Sequence, residues 1–443
     1  MAAGKTSSNP LAQFGKLTEL RQRLLFLVGA LVVFRLGSFI PVPGVNPEAM
    51  TRMIEQGGGL LNMFNMFSGG ALARFSLFAL GVIPYISASI VVQMMGSVLP
   101  AWQQLKKEGQ AGQRIMTKYT RWGTVGLSAF QAFGIAMALQ KEGVAGGVPI
   151  VYDPGFGFIF ASVIGLTAGS MFLMWLGEQM TERGIGNGIS LIIFAGIVAG
   201  LPQALTQTFT MASTGQLTMI KVLLVVVIVL AVTAFCVFME SAQRRITVNY
   251  ARRQGGSKAY MNQSSHLPLK INMSGVIPPI FASSLILFPA TASTWFSNAS
   301  QMHWLQQLTT ALSPGEPPYM ILYAAMIIIF AFFYTAIVFN SQETADNLKR
   351  SGALIPGLRP GKATADYIDA VLTRLTGAGA VYLAAVCLIP TFMQTEWHVP
   401  FYFGGTSLLI VVVVAMDFRA QVSAHLVSHQ YESLLKKANL KRS

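Results

Sequence analysis

Charged residues are scarce in this chain of 443 residues. Asp, Glu, Lys and Arg together make up 11% of it, whereas a soluble globular protein carries roughly a quarter. Cysteines are scarcer still. Cys236 and Cys387 both fall inside apolar runs, which predicts buried small side chains and neither a disulfide nor a metal site. What the chain has instead is 53% hydrophobic residues, many of them in long uncharged runs, as is typical of an integral membrane protein.

Motifs of catalysis are missing as well. The sequence contains no HExxH or GxSxG motif, and Gly4-Lys5-Thr6 lacks the upstream glycine of a phosphate-binding loop. The five histidines are scattered without metal-ligand spacing. Ion-coupled transporters and pumps carry ionisable residues within their spans, but here Arg35 is the clearest exception in span interiors that are almost free of them. We therefore expect neither an enzyme nor a bound cofactor or metal.

A membrane span needs about 20 mostly apolar residues. Ten candidate segments follow one another, several of them diluted by Gly, Ser, Thr and Gln: 24–40, 75–99, 123–139, 158–176, 185–201, 222–239, 271–290, 319–339, 371–389 and 403–416. No cleavable signal peptide precedes them. Leu11, Phe14, Leu17 and Leu20 instead have the spacing of an amphipathic helix on the membrane surface. We predict an all-α membrane protein with ten transmembrane helices.

The basic residues support this count. The formal net charge is +14, and Lys and Arg cluster before the first span, after each even-numbered span and at the C-terminus. The opposite connections contain only Arg52, Arg74, Lys141 and Lys221. Because cytoplasmic loops carry the excess of Lys and Arg, both termini and the long basic loops are expected in the cytoplasm.

An eight-residue phrase occurs twice, at 82–89 and 276–283, and the copies differ only at Tyr85/Pro279 and Ser87/Phe281. So short a match also arises by chance, and the spans decide its meaning. The copies lie on the second and seventh spans, which are five apart, so the second copy enters the membrane in the opposite direction. This arrangement indicates an inverted repeat of two five-helix halves, 1–215 and 216–443, with functional sites where the halves meet.

Three classes of function compete for such a chain: a secondary transporter, an intramembrane enzyme and a channel. A pathway lined by uncharged Ile and Val can gate by excluding water, but it says little about which small solute it would select. This favours a channel whose cargo is variable and partly apolar. The alternative is an inverted-repeat transporter of small solutes, for which saturable uptake into liposomes would be the distinguishing observation.

Four motifs, in order, strongly resemble the SecY family, the central subunits of bacterial Sec protein-conducting channels. They are FNMFSGG (64–70), GEQMTERGIGNG (177–188), ETADNLK (343–349) and FYFGGTS (401–407). The resemblance runs from about Leu11 to the C-terminus and is closest to the proteobacterial form. It implies two five-helix halves around a central hourglass pore, which passes unfolded secretory preproteins outward and inserts membrane proteins sideways into the lipid.

The resemblance also implies a seal. A ring of branched apolar side chains is expected at the waist of the pore, formed by Val82, Ile86, Ile193, Ile280, Leu285 and Ile410. Such side chains can close around an extended chain of any sequence, although without the resemblance each would be taken for an ordinary core residue. A plug is expected on the outer side, within 60–72, formed by Leu60, Met63, Phe64, Met66, Phe67, Ser68, Gly69 and Gly70. Methionine repacks easily, which suits an element that leaves and returns; a permanently packed interfacial helix is the alternative.

A lateral gate is expected between the second and seventh spans. Interhelical hydrogen bonds in membranes are worth only about 0.6 kcal/mol each, so polar contacts can close the gate and still yield to a signal sequence. The candidate residues are Ser87, Ser89, Gln93, Gln131, Asn272 and Ser283. The alternative for some of them is a bond to a backbone carbonyl.

Two basic cytosolic loops are expected to dock the ribosome, through the phosphates of ribosomal RNA, and the SecA ATPase. The candidate residues are Arg244, Arg245, Arg252, Arg253, Lys258, Lys349, Arg350 and Arg359. Membrane topology and contact with anionic phospholipids would also explain these charges. Arg359, in the segment PGLRP (356–360), is the residue expected to matter most.

The resemblance further implies partners and a location. The partners are SecE and SecG in a heterotrimer, SecA, the ribosome, SecDF, YidC, anionic phospholipids and unfolded preproteins, and no cofactor is implied. The location is the bacterial inner membrane. The driving force would come from a bound ribosome or from SecA, since the chain carries no energy-converting motif of its own.

Overall fold

The computed structural model describes residues 18–56, 65, 67–142, 144–145, 148–215, 218–250, 264–296, 316–397 and 405–440. The helices are, in chain order, α1 (Thr18–Gly37), α2 (Pro47–Gln56), α3 (Ile83–Val98), α4 (Pro100–Lys107), α5 (Gln110–Glu142), α6 (Phe156–Arg183), α7 (Gly188–Ser213), α8 (Met219–Ser241), α9 (Ile277–Phe296), α10 (Pro317–Val338), α11 (Ser341–Arg350), α12 (Lys362–Trp397) and α13 (Gly405–Leu440). The strands are β1 (Val144–Ala145), β2 (Val148–Pro149), β3 (Gln243–Tyr250), β4 (Ser264–Lys270) and β5 (Ala353–Leu354).

Each of the ten predicted spans coincides with a helix, but the count of ten is not confirmed by helix length and hydropathy. Within the described residues, seven helical stretches are long and apolar enough to cross a membrane. An eighth is obtained if α3 and α4, bent by 103° at Leu99, form one span. Helix α1 is too rich in charge, with Arg21, Arg23 and Arg35, and the described apolar part of α9, Ile277–Ile286, is too short.

The chain divides into two compact units. The first comprises Met1–Gly96, Ala101–Gln203 and Val414–Ser443, and the second comprises Ser97–Pro100 and Ala204–Val413. The halves 1–215 and 216–443 expected from the repeat remain a prediction. Of the surface helix expected from Leu11, Phe14, Leu17 and Leu20, the first three residues lie outside the described residues, and Leu20 is buried in the first turn of α1.

The core of the first unit forms around a run of turns between α2 and α3. Buried side chains of α2, of the turns 71–80 and of the facing helices α5 and α6 form one apolar cluster. Phe75 lies at its centre, fully buried and in the left-handed backbone region with φ 44°. Its carbonyl accepts a hydrogen bond from the amide of Val42 at 2.9 Å, and its amide donates to Leu72. These bonds and the burial stabilise a conformation that is rare for a bulky residue.

The second unit contains a β-ribbon that was not predicted from the sequence. Strands β3 and β4 pair antiparallel from Gln243↔Lys270 to Asn249↔Ser264, and β5 pairs with the end of β3. Ile246 and Val248 point into an apolar cluster with α12, while the arginines beside them are exposed. The two-residue alternation of buried and exposed side chains, typical of a half-buried strand, is therefore present in the sequence. The ribbon adds to an otherwise helical fold.

Candidate functional site

The two copies of the repeated phrase adopt the same local conformation. Gly81 precedes the first copy with φ 58°, and Gly275 precedes the second with φ 62°, both in the left-handed region that glycine adopts without steric cost. Each helix then begins at the second residue of the phrase, so Pro84 and Pro278 fall in its first turn. Proline is tolerated there because amides of the first turn have no partner within the helix. The repeat thus extends to a shared helix start.

The predicted ring residues differ in burial. Val82, Ile193 and Ile410 are buried, whereas Ile86 and Ile280 are half-buried. Leu285 is 55% exposed. It follows Ile280 by five positions on α9, which places the two side chains about 140° apart around the helix axis. Val82 and Ile86, four positions apart, share one side. Leu285 therefore does not share the side of α9 on which Ile280 lies.

The end of the predicted plug is a tight turn. Leu60, Met63, Phe64 and Met66 lie outside the described residues, but Phe67, Ser68, Gly69 and Gly70 are described. Gly69 and Gly70 have φ of 68° and 82°. The amide of Gly70 donates to the carbonyl of Asn65 at 2.8 Å, and Asn65 Oδ1 accepts from the amide of Ala73 at 2.9 Å. Two consecutive left-handed glycines end the segment here, as the Gly69-Gly70 pair predicted.

This turn contacts α1 and α7. Arg35 Nη1 donates to the carbonyl of Gly69 at 2.7 Å, and the Arg35 guanidinium lies 4.8 Å from the centre of the Phe39 ring. A Cβ atom on Gly69 would lie 2.9 Å from Gly196 Cα of α7, closer than side chains normally approach a backbone. The turn is therefore fixed by one arginine and one glycine–glycine contact. Arg35 stood out in the sequence as an intramembrane charge, but no partner for it was predicted.

Two of the predicted gate residues of the first unit, Ser89 and Gln93, bond to each other. Gln93 Nε2 donates to Ser89 Oγ at 3.2 Å within α3. Gln131, on α5, is buried. Ser87 is half-buried. On α9, in the second unit, Ser283 Oγ donates to the carbonyl of Ile280 at 2.9 Å. For Ser283 the bond is thus to a backbone carbonyl, the alternative that the sequence left open.

Asn272 has a partner that was not predicted. It lies in the segment between β4 and α9, and its Nδ2 donates to Glu240 Oε1 at the end of α8. Nδ2 also donates to the carbonyl of Gly275 at 3.2 Å, and Asn272 Oδ1 accepts from Ser274 Oγ at 3.1 Å. Glu240 is 8% exposed and Asn272 4%. In the sequence Glu240 is only a charge near a span end, and nothing in its spacing links it to Asn272.

The two basic loops meet in one small sheet. Arg244 and Arg245 are exposed on β3, which pairs with β5 through Asn249↔Leu354. Lys349 and Arg350, at the end of α11, and Arg359, in the turn after β5, are also exposed. Arg252, Arg253 and Lys258 lie outside the described residues. The sequence places these charges in two separate loops, and long-range strand pairing is what joins the loops.

The fold is that of membrane protein-conducting channels. A solved protein-conducting channel superposes with a TM-score of 0.69 at 17% identity, covering 95% of this chain and 98% of that one. Sec61 in the canine ribosome–channel complex from the endoplasmic reticulum superposes with a TM-score of 0.65 at 16% identity and the same coverage. These likenesses place the helices in a multi-pass channel fold.

The family is defined by sequence. The SecY family model matches residues 76–419, and the chain is 59% identical over 429 residues to the protein translocase subunit SecY of Escherichia coli, covering 96% of each chain. The chain belongs to the SecY family. It is a multi-pass membrane subunit of a channel that translocates proteins across the membrane, and the resemblance seen in its motifs is confirmed. Family membership also assigns it to channels and not to enzymes.

Proposed function

We propose that this chain forms the path by which unfolded preproteins leave the bacterial cytoplasm across the inner membrane, and that it releases apolar segments sideways into the lipid. The observation that carries the proposal is the 59% identity to the Escherichia coli SecY subunit over 96% of both chains. Both termini face the cytoplasm in this proposal, since cytoplasmic loops carry the excess of Lys and Arg. The same holds for the sheet of β3, β4 and β5 with its exposed arginines, here called the basic sheet.

The seal of the empty pore consists of Val82, Ile86, Ile193, Ile280 and Ile410. Branched apolar side chains exclude water from a narrow constriction and so oppose ion leakage. They offer no specific bond to a passing chain, which allows many sequences through. The position of Leu285, about 140° around α9 from Ile280, argues against its membership, so we leave it out of the ring.

The plug is the segment that ends at Gly69 and Gly70. Its last turn contacts α1 through the Arg35 hydrogen bond at 2.7 Å and α7 through the close approach to Gly196. A hydrogen bond to a charged group is worth about 1.5–3 kcal/mol. Such a contact is strong enough to favour the seated plug and weak enough to be broken when a preprotein enters.

The lateral gate lies between α3 and α9, the two helices that begin with the repeated phrase. The left-handed glycines Gly81 and Gly275 are natural places for each helix to change direction, because glycine tolerates a wide range of backbone angles. The bonds of Gln93 and Ser283 stay within their own helices, so opening the gate does not require breaking them.

Docking takes place on the basic sheet and the adjacent loop. The likeness to Sec61, solved in a ribosome–channel complex, supports a ribosome as one partner. Arg244, Arg245, Lys349, Arg350 and Arg359 would bind the phosphates of ribosomal RNA, and the same surface would receive the SecA ATPase. SecE and SecG complete the heterotrimer, SecDF and YidC act beside it, and anionic phospholipids neutralise the remaining charges.

Replacement of the endogenous subunit tests the proposal. A bacterium depleted of its own SecY would express this chain, and export of a preprotein with an intact signal sequence would be measured by removal of that sequence. We expect export to be restored. The matched control is the same chain with Ile86 and Ile280 both replaced by Asp, which places charge in the seal. If the unaltered chain accumulates in the membrane and exports nothing, the proposal is wrong.

A further inference from the structure

A buried polar cluster lies where α8, the β-ribbon and the start of α9 meet. Glu240, Asn272 and Ser274 form it, and each is less than 9% exposed. The Asn272 side chain uses both kinds of its hydrogen-bonding atoms: Nδ2 donates to Glu240 and to the carbonyl of Gly275, and Oδ1 accepts from Ser274. A buried carboxylate is costly unless hydrogen bonds satisfy it, so the pairing with Asn272 is energetically significant.

The cluster lies at the junction between two elements with different roles. On one side, the amide of Ile271 donates to the carbonyl of Ala242 at 3.2 Å and closes the base of the ribbon, next to the pair Gln243↔Lys270. On the other side, the left-handed Gly275 comes two residues before the first residue of α9. The segment 271–276 is thus the only covalent link between the ribbon and α9, and Asn272 is fixed within it.

A second contact limits how this segment can move. A Cβ atom on Gly379 of α12 would lie 2.8 Å from the carbonyl oxygen of Ile271, so the segment packs closely on that helix. Ile271 is therefore held by α12 and by Ala242, while Asn272 is held by Glu240. The next residue with wide backbone freedom is Gly275, at the start of the gate helix.

We propose that Glu240 is a positioning residue of the lateral gate: its bond to Asn272 fixes the start of α9 and so resists opening of the gate. Breaking the bond frees α9 to turn at Gly275, so that weaker signal sequences can open the gate. This inference rests on the proposed function, in which α9 is one wall of the gate.

A reversal of bond polarity gives a sharp test. In Asn272→Asp, two carboxylates face each other and the amide donor to Glu240 is lost. In the double variant Glu240→Gln with Asn272→Asp, the amide of the new glutamine can donate to the new aspartate, and the pair is restored with donor and acceptor exchanged. Glu178→Gln is the matched control, since Glu178 also ends a long helix and pairs with a neighbouring side chain, Arg121, at 2.7 Å.

The readout is export of a preprotein whose signal sequence has a shortened apolar core, relative to one with an intact signal. We expect Asn272→Asp to raise this ratio by about tenfold, the shift that the loss of one hydrogen bond to a buried charged group would cause. The double variant should return part of the way to the unaltered ratio, because the new aspartate cannot donate to the carbonyl of Gly275, and Glu178→Gln should not change it. Amide hydrogen exchange of the purified chain over 271–280 should be faster in Asn272→Asp and slow again in the double variant.

The proposal is overturned if the double variant behaves like Asn272→Asp in both measurements, or if Asn272→Asp leaves both unchanged. These outcomes differ from a failure of the proposed function, in which the unaltered chain would not export the intact preprotein. Hydrogen exchange needs no export, so it reports on the bond in either case. If Asn272→Asp does not accumulate, Glu240→Gln alone, which keeps an acceptor oxygen but loses the charge, should give a smaller rise in the same ratio.

Discussion

The first copy of the repeated phrase, at the start of α3, and the second, at the start of α9, share a left-handed glycine, a helix start and a proline in the first turn. They differ in what surrounds them. Before the first copy comes the turn at Gly69 and Gly70, here called the plug turn, which is bonded to Arg35. Before the second copy comes the segment 271–276 that follows the ribbon, in which Asn272 is bonded to Glu240. The same local design is thus held by an arginine bonded to a backbone carbonyl before one copy and by a buried amide–carboxylate pair before the other.

The substituted positions deepen this difference. Where the first copy has the half-buried Ser87, the second has Phe281, which packs edge-to-face on Phe330 at 5.9 Å and Tyr334 at 6.3 Å of α10. Such aromatic pairs add about 0.5–1.5 kcal/mol beyond the burial of their surface. Helix α9 is therefore anchored within its own unit by aromatic packing that α3 lacks at the equivalent position.

The largest effect is expected where the copies are equivalent. Replacing Ile86 and Ile280 together with glycine should raise ion conductance of the empty channel by on the order of tenfold or more, because a widened constriction no longer excludes water. Each single variant should give a similar, smaller rise if the copies contribute equally. Leu285→Gly is the matched control and should leave conductance unchanged. Conductance is measured in planar bilayers, and no rise in the double variant would remove both residues from the ring.

The main difference between the copies, Ser87 against Phe281, can be tested by exchanging the residue type. Phe281→Ser gives the second copy the residue of the first and removes a buried ring, at a cost of about 3–5 kcal/mol in the free energy of unfolding, as for other buried phenylalanines truncated to small residues. Ser87→Ala in the first copy should cost far less. Thermal unfolding of the purified chain in detergent measures both. Equal losses would show that the two copies are anchored alike.

Most of the helical architecture could be predicted from the sequence, since runs of apolar residues and the placement of Lys and Arg are local signals. The motifs were sufficient to identify the family. What could not be predicted were the contacts between residues far apart in the chain: Arg35 with the plug turn, Glu240 with Asn272, and β3 with β5. None of these pairs has a spacing that a helix or a hairpin would impose. The ribbon was not predicted although Ile246 and Val248 alternate with polar residues, because a short alternating segment forms a strand only where a distant segment pairs with it, here Ser264–Lys270.

The plug turn can be broken without touching the second copy. Gly69→Ala adds a methyl group in the left-handed region, which costs about 1–2 kcal/mol, and brings it within 2.9 Å of Gly196. Gly70→Ala suffers the same backbone strain, but its nearest neighbour would be 4.0 Å away at the end of the Arg74 side chain. We expect a several-fold greater ion leak from Gly69→Ala than from Gly70→Ala. Equal leaks would mean that the approach to Gly196 does not seat the plug.

A smaller effect is expected from the arginine itself. Arg35→Met keeps the apolar stem of the side chain but removes the donor to Gly69, a bond worth about 1.5–3 kcal/mol, so the seated plug should be less stable and the leak should rise. Arg74→Met is the control, because Arg74 also lies over Phe39, at 4.1 Å, and would lose the same kind of ring contact. A comparable leak from both variants would assign the effect to Phe39 and not to the plug turn.

The smallest effect is expected at Arg359, on the surface that is proposed to face the cytoplasm. Arg359 is exposed in the turn after β5, and its carbonyl accepts from Thr364 Oγ1 at 2.9 Å, so the backbone there is fixed independently of the guanidinium. Arg359→Ala should therefore weaken ribosome binding only by the loss of one phosphate contact, and should reduce the slope of log affinity against log salt concentration by about 0.7–0.9. Arg359→Lys retains the charge and should retain the slope. If both variants bind ribosomes with the unaltered slope, the guanidinium of Arg359 makes no phosphate contact.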